Sequence, residues 1–212
     1  MRDCIFLLAD TNMEAAFKGF LCRDQFHQSL QCGAFDFDAR QDLVVASGDN
    51  DPGLYTRGHE LLKPFRQTHA HAILVLDSEW DGSPGADVID AHISANLYQS
   101  GWAEDNCKVI VIDPELENWI WQRNDHVARS LGLDSVVNFS TAIGAEIWPE
   151  GQAKPDHPKE TLEAVLRANR IPRSSSIYKN ITSKVSVGGC EEQSFQLFRT
   201  TLQTWFPAEV YT

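Results

Sequence analysis

The chain has 212 residues, of which 42% are hydrophobic and 23% charged, and carries a formal net charge of −12. That is enough chain for one good-sized core of ordinary globular composition, and no apolar run approaches the roughly 20 residues that span a bilayer. The start lacks a secretory signal pattern. Five scattered cysteines without a CxxC argue against a disulfide framework or zinc site and predict a cytoplasmic location.

Residues 3–9 predict a first strand, Cys4 to Ala9, that runs into Asp10. A helix beginning near Asn12 follows, with Met13, Phe17, Phe20 and Leu21 on its apolar stripe. Residues 42–46 read as a second strand, and Gly48–Gly53 as a turn-rich segment. Leu54, Leu61, Leu62 and Phe65 place a second helix that stops near Pro64. The third strand, about 71–76, reaches Asp77, with Glu79 and Asp81 behind it in a polar loop. A helix at about 86–100 carries Val88, Ile89, Ile93 and Leu97. The fourth strand, about 107–112, ends at Asp113-Pro114, with Glu115 and Glu117 next. Pro114 suits the first turn of a further short helix.

This alternation predicts an α/β fold with a four-stranded, mostly parallel sheet, right-handed crossovers and helices on both faces. Residues 1–148 form the expected core. Residues 149–158, rich in proline, predict a loop that opens a helical C-terminal appendage over 149–212, with helices near 159–169 and 191–205. Because parallel strands end on one edge, the acids that close them meet at one place. Like charges there are costly unless a cation sits among them or one stays protonated. The expected site therefore takes a hard cation, Mg²⁺ or Mn²⁺, with Asp77, Glu79, Asp10 and Asp113 as ligands and Asp81, Glu115 and Glu117 as further acids. Acids after strands also cap helices, an alternative that stays open for Asp113 and Glu115.

His69 and His71 share a strand face but start the third strand, opposite the acids, which favours packing over metal binding. Trp119 and Trp121 are expected in the core. Residues 1–150 hold 10 basic and 24 acidic groups, whereas 151–212 hold 8 basic and 6 acidic. No acid interrupts Arg167, Arg170, Arg173, Lys179 and Lys184. Arg167, Arg170, Arg173 and Lys179 are thus candidate nucleic-acid contacts, although the overall charge is unfavourable to a polyanion.

The order of elements and acids resembles the Toprim fold, the metal-binding domain of topoisomerases, primases and OLD-type nucleases. Leu8-Ala9-Asp10-Thr11 stands where that family has its first-strand glutamate and glycine, and Leu76-Asp77-Ser78-Glu79 where it has LxDxD. Gly48 to Leu62, Ile112 to Trp121 and Pro172 to Lys179 resemble small Toprim-like proteins of methylation-associated bacterial anti-phage defence clusters. The resemblance implies a Mg²⁺-dependent nuclease or other phosphodiester-acting protein, with Asp10, Asp77 and Glu79 catalytic. It implies nucleic acid and other defence proteins as partners. The alternative is a non-catalytic subunit that docks to a larger nuclease or methyltransferase. A phosphohydrolase using Asp77 as nucleophile is a third reading.

Overall fold

A computed structural model describes residues 1–46, 48, 50–133, 144, 148, 152, 154–188 and 190–208. Strands β1 (Arg2–Leu8), β2 (Leu43–Val45), β3 (His69–Asp77) and β4 (Cys107–Ile112) form one sheet in the order β2-β1-β3-β4. All its pairings are parallel, with Leu7 opposite Val44 on one side and Leu74 on the other. The expected α/β class and four-stranded sheet are thus present. The centre of β3, Ala72 to Leu76, is wholly enclosed, which is why its sequence is continuously apolar rather than alternating.

Both faces are covered. On one, Phe6 meets Phe17 of α1 (Thr11–Leu21) at 5.9 Å between ring centroids and Phe198 of α9 (Gln193–Trp205) at 6.4 Å. On the other, α3 (Asn50–Leu62) buries Leu54, Gly58 and Leu62, and packs against α4 (Ala86–Gln99), which buries Ile89, Ile93 and Leu97. Each trio recurs every four residues, the spacing of one helix face. Gly58 lies so close to Leu74 that a side chain there would displace it.

The path from β1 to β2 runs through α1, whereas those to β3 and β4 run through α3 and α4. Chain direction across the sheet therefore reverses between β1 and β3. In open parallel sheets that switch point leaves a crevice beyond the strands' carboxyl ends. Asp10 and Asp77 stand on its two sides.

Short helices α2 (Phe26–Leu30), α5 (Glu117–Ile120) and α6 (Asp125–Ser130) fill the connections. Pro114 does not start the helix after β4, as its position suggested. It lies three residues ahead, where its carbonyl accepts the N–H groups of Ser78 and Glu79, each at 3.1 Å. Helix α7 (Pro158–Ala168) and α9 match the expected tail helices, and α8 (Ser175–Thr182) lies between them. Of the predicted 149–158 loop, residues 152 and 154–157 are described and lie outside helix and strand, Pro158 opens α7, and 149–151 and 153 lie outside the described residues. Trp121 and Leu162, Tyr178 and Phe198 all belong to the core that contains the strands, so the tail shares that core.

Helix α8 crosses α1 at Gly19 and is fixed there by Arg23. The Arg23 guanidinium donates to the carbonyls of Thr182, at 2.8 Å, and Val185, at 2.7 Å. These acceptors lie at the helix's negative end, where a cation is favourable. A methyl group on Gly19 would approach the Lys179 carbonyl to 2.5 Å and also strike Thr182. Alanine's better helix propensity, up to about 1 kcal/mol, is outweighed by overpacking of about 1–3 kcal/mol. Gly19→Ala is expected to lower the melting temperature by roughly 2–6 °C; an unchanged or raised value would show that the two helices do not meet this closely.

Candidate functional site

Three aspartates gather at the switch point. Asp10 ends β1 and caps α1, its Oδ1 accepting the N–H groups of Asn12 and Met13, both at 2.8 Å. Asp51, in the first turn of α3, accepts the backbone N–H of Asp77 at 2.8 Å. Asp77 itself ends β3 with its Oδ1 enclosed and without a hydrogen-bond partner. Burial, then the charges of Asp51, Glu117, Asp10 and Glu115, pushes the Asp77 carboxyl well above the usual carboxylate range. Burial likewise raises Asp51, and Asp10 adds to the rise. These are the costs of assembling like charges away from water.

Behind the aspartates lie Glu115 and Glu117, 6% and 3% exposed. Their partners come from α7, α8 and the segment between them. Glu115 accepts the backbone N–H of Lys159 at 2.8 Å and has the Lys159 ammonium 3.7 Å away. Burial works against that ammonium, yet Glu115 and Glu117 outweigh it and hold the Lys159 pKa above its ordinary value. Glu117 accepts the phenolic O–H of buried Tyr178 and lies 3.9 Å from the Arg173 guanidinium. Burial, and then Glu117, shifts the Glu115 carboxyl up to about 7. Burial and Glu117 also push the Tyr178 hydroxyl upward, so it stays a donor.

The remaining sequence candidates lie elsewhere. Glu79, Asp81 and Asp113 are exposed, outside the enclosed group, although Asp113 accepts the Ser78 hydroxyl at 2.7 Å. Arg167, Arg170, Arg173 and Lys179 are all exposed, and Arg173 lies 3.9 Å from Glu117 and also pairs with Glu163. His69 and His71 pack at the opposite edge. His69 Nε2 sits 3.1 Å from Asp42, which also binds Arg2, and His71 stacks on Trp205. Trp121 is buried, its indole N–H donating to the Pro158 carbonyl at 2.8 Å, and Trp119 stacks on Phe17.

Asp51 and Lys159 are functional candidates that sequence reasoning missed, and Tyr178, whose hydroxyl the sequence offers to a phosphate beside the basic stretch, donates instead to Glu117. Asp51 had a signal, an acid following the second strand, but its turn-rich surroundings disguised a helix start. Lys159 and Tyr178 reach their partners across 44 and 61 residues, beyond any local pattern. Among the described residues, no three acidic, histidine or cysteine side chains already stand together as a metal cage. No family model, curated protein or solved structure matches the chain.

The raised carboxyls have a consequence for stability. Between the unfolded carboxylate range, near 4, and the folded Glu115 value of about 7, the native state holds more protons than the unfolded chain. The raised carboxyls therefore make stability fall as pH rises through that window, with Asp77 acting in the same direction and the lowered His71 imidazole opposing them. In chelator, urea midpoints are expected to decrease from pH 4.5 to pH 8, and Glu115→Gln should flatten the lower part of that slope. A midpoint that rises steadily with pH over this range would contradict the enclosed cluster.

Proposed function

We propose that the chain is a Mg²⁺- or Mn²⁺-dependent protein that acts on phosphodiesters, with its centre in the crevice between β1 and β3. The carrying observation is the enclosed Asp77 Oδ1, left without a partner while Asp51 and Asp10 crowd the same edge. A buried carboxyl oxygen without a donor is expensive, and a cation is the partner that the surrounding acids leave room for by charge. Mg²⁺ typically needs only one or two carboxylates and keeps its waters, so a preformed cage of three acids is not required. Asp77 and Asp51 would hold the ion, with Asp10 adjoining. When bound, it would supply charge to stabilise a leaving oxygen.

The chain's own groups provide the rest. Asp10 keeps its Oδ1 on the α1 cap, which fixes the carboxylate for proton transfer beside Asp77. Lys159 and Arg173 bring positive charge to the rear of an otherwise acidic crevice, where a phosphate could approach. Exposed Glu79 and Asp113 add acid at the strand ends, and Arg167, Arg170 and Lys179 offer surface charge for a nucleic-acid backbone. The defence setting, with other defence proteins as partners, is supported by sequence resemblance to small Toprim-like proteins. A second reading, a non-catalytic subunit, is favoured by Glu115 and Glu117 already having protein partners, as a purely structural clasp would.

Titration with Mg²⁺ and Mn²⁺, followed by incubation with single-stranded and duplex DNA and RNA, separates the two. Asp77→Asn is expected to abolish most metal-induced stabilisation while raising metal-free stability at pH 8 by about 1–3 kcal/mol, since a buried charge is removed at constant shape. Metal-induced stabilisation equal to that of the wild type would remove Asp77 from the site.

Asp10→Asn tests proton transfer without breaking the helix cap, because asparagine caps as well as aspartate. Cleavage is expected to fall by about 10²–10⁴-fold, with metal affinity nearly kept. A wild-type protein that folds cleanly yet neither binds metal nor cuts any of the four substrates would establish the subunit reading instead.

A further inference from the structure

We propose that Trp80, backed by Tyr55 and His92, is a stacking platform for one unpaired base of a single-stranded nucleic acid whose phosphodiester lies at the Asp77 centre, a proposal that rests on the metal-dependent reading above. The three rings form a row. Tyr55 of α3 lies 6.1 Å from Trp80 and 4.5 Å from His92 of α4, measured between centroids. Tyr55 holds the middle, and among the described residues neither Trp80 nor His92 has a second ring beside it.

The row begins at the crevice. Tyr55 follows Asp51 by four residues, about 6 Å along the same face of the helix, and the Asp51 carboxylate accepts the Asp77 N–H at 2.8 Å. Trp80 stands three residues after Asp77, on the loop that leaves β3. Ser83 braces that loop, its N–H donating to the Trp80 carbonyl at 3.0 Å and its hydroxyl to the Ser78 carbonyl. Gly82 turns the chain at a φ of 80°, and no atom stands within 4 Å of where a side chain there would project. The loop's outer side is open.

Trp80 differs from the tryptophans that serve packing. Trp119, Trp121, Trp148 and Trp205 each donate their indole N–H within the protein, to Ser194, Pro158, Gln152 and Asp105. The Trp80 N–H and the Tyr55 hydroxyl have no such partner among the described residues, and neither atom is enclosed. Both residues are half-buried and His92 is exposed. Buried tyrosine and tryptophan usually satisfy their polar atoms inside the protein. Half-wet rings beside a phosphodiester centre are what splayed bases stack on.

Charge selects a single strand. Glu79 and Asp81 flank Trp80 in the chain and, like Asp113, are exposed. A duplex laid here would bring a second phosphate backbone against these acids. A single strand sets its base on the ring and turns its phosphate to the metal. Every base has a π face, so stacking is tolerant of sequence.

The probes are fluorescein-labelled eight-nucleotide oligothymidylate and oligouridylate, each with an abasic counterpart of equal charge, and duplex DNA of the same length. They are titrated in Mg²⁺ against the full chain carrying Asp10→Asn, so that the strand stays uncut. The tighter of the two strands is expected to bind about tenfold or more tightly than its abasic counterpart and than the duplex. Adding Trp80→Leu should erase that preference while leaving abasic binding and Mg²⁺-induced stabilisation within about twofold, and Trp80→Phe should keep the preference, because stacking needs a ring. A merely structural tryptophan would weaken all probes alike. Equal binding of the abasic strand, a preference that survives Trp80→Leu, or a Trp80→Phe as impaired as Trp80→Leu would overturn the platform and leave the metal centre standing. A wild-type chain without Mg²⁺-induced stabilisation would overturn both.

Discussion

Parallel strands deliver their ends to one edge, and here that edge receives more negative charge than the sheet alone can carry. Two unit charges 4 Å apart cost about 4 kcal/mol at an effective dielectric of 20, so Asp10, Asp51, Asp77, Glu115 and Glu117 could not all stay ionised in isolation. The chain answers in three ways. Asp77 and Glu115 are biased toward their protonated forms. Asp10 and Asp51 spend oxygens on backbone N–H groups. Glu115 and Glu117 are met by Lys159 of α7, Tyr178 of α8 and Arg173 of the segment between those helices.

How much of this could be read from the chain depends on the range of the interaction. The strands were visible because burial on both faces demands unbroken apolar runs, and Ala72 to Leu76 obeys that demand. Asp10 and Asp77 were visible because parallel topology turns a local fact, an acid after a strand, into a shared location. Glu79 was singled out by its place behind Asp77 and by the LxDxD resemblance. The backbone turns after Asp77, where the N–H groups of Ser78 and Glu79 both donate to the Pro114 carbonyl, and Glu79 is exposed. The basic stretch was seen as a surface because its pattern shows no acids nearby in sequence; the acids facing Arg173 are Glu117 and Glu163, one from another element.

The two edges of the sheet are built from similar residues to different ends. At the amino edge, Asp42 is fully enclosed yet saturated by Arg2, His69 and the Asp38 N–H. Those partners overcome the effect of burial and hold its carboxyl below the usual range. At the carboxyl edge Asp77 is half-buried as a residue, but its Oδ1 is enclosed without a partner and its carboxyl is shifted the opposite way. The contrast is between a satisfied acid beside the start of β3 and an acid at its end with one oxygen left unsatisfied.

The dependence of the acidic crevice on Lys159, Arg173 and Tyr178 bears on the order in which the molecule is made. The strands and their acids leave the ribosome well before residues 158–182 do, and chains fold progressively as they emerge. During that interval the crevice exists without its counter-charges. Its acids must then remain hydrated or protonated, and closure waits on contacts that span tens of residues, the slow kind. A finished crevice therefore waits on residues 158–182, which bring the counter-charges and the phenol that its acids meet.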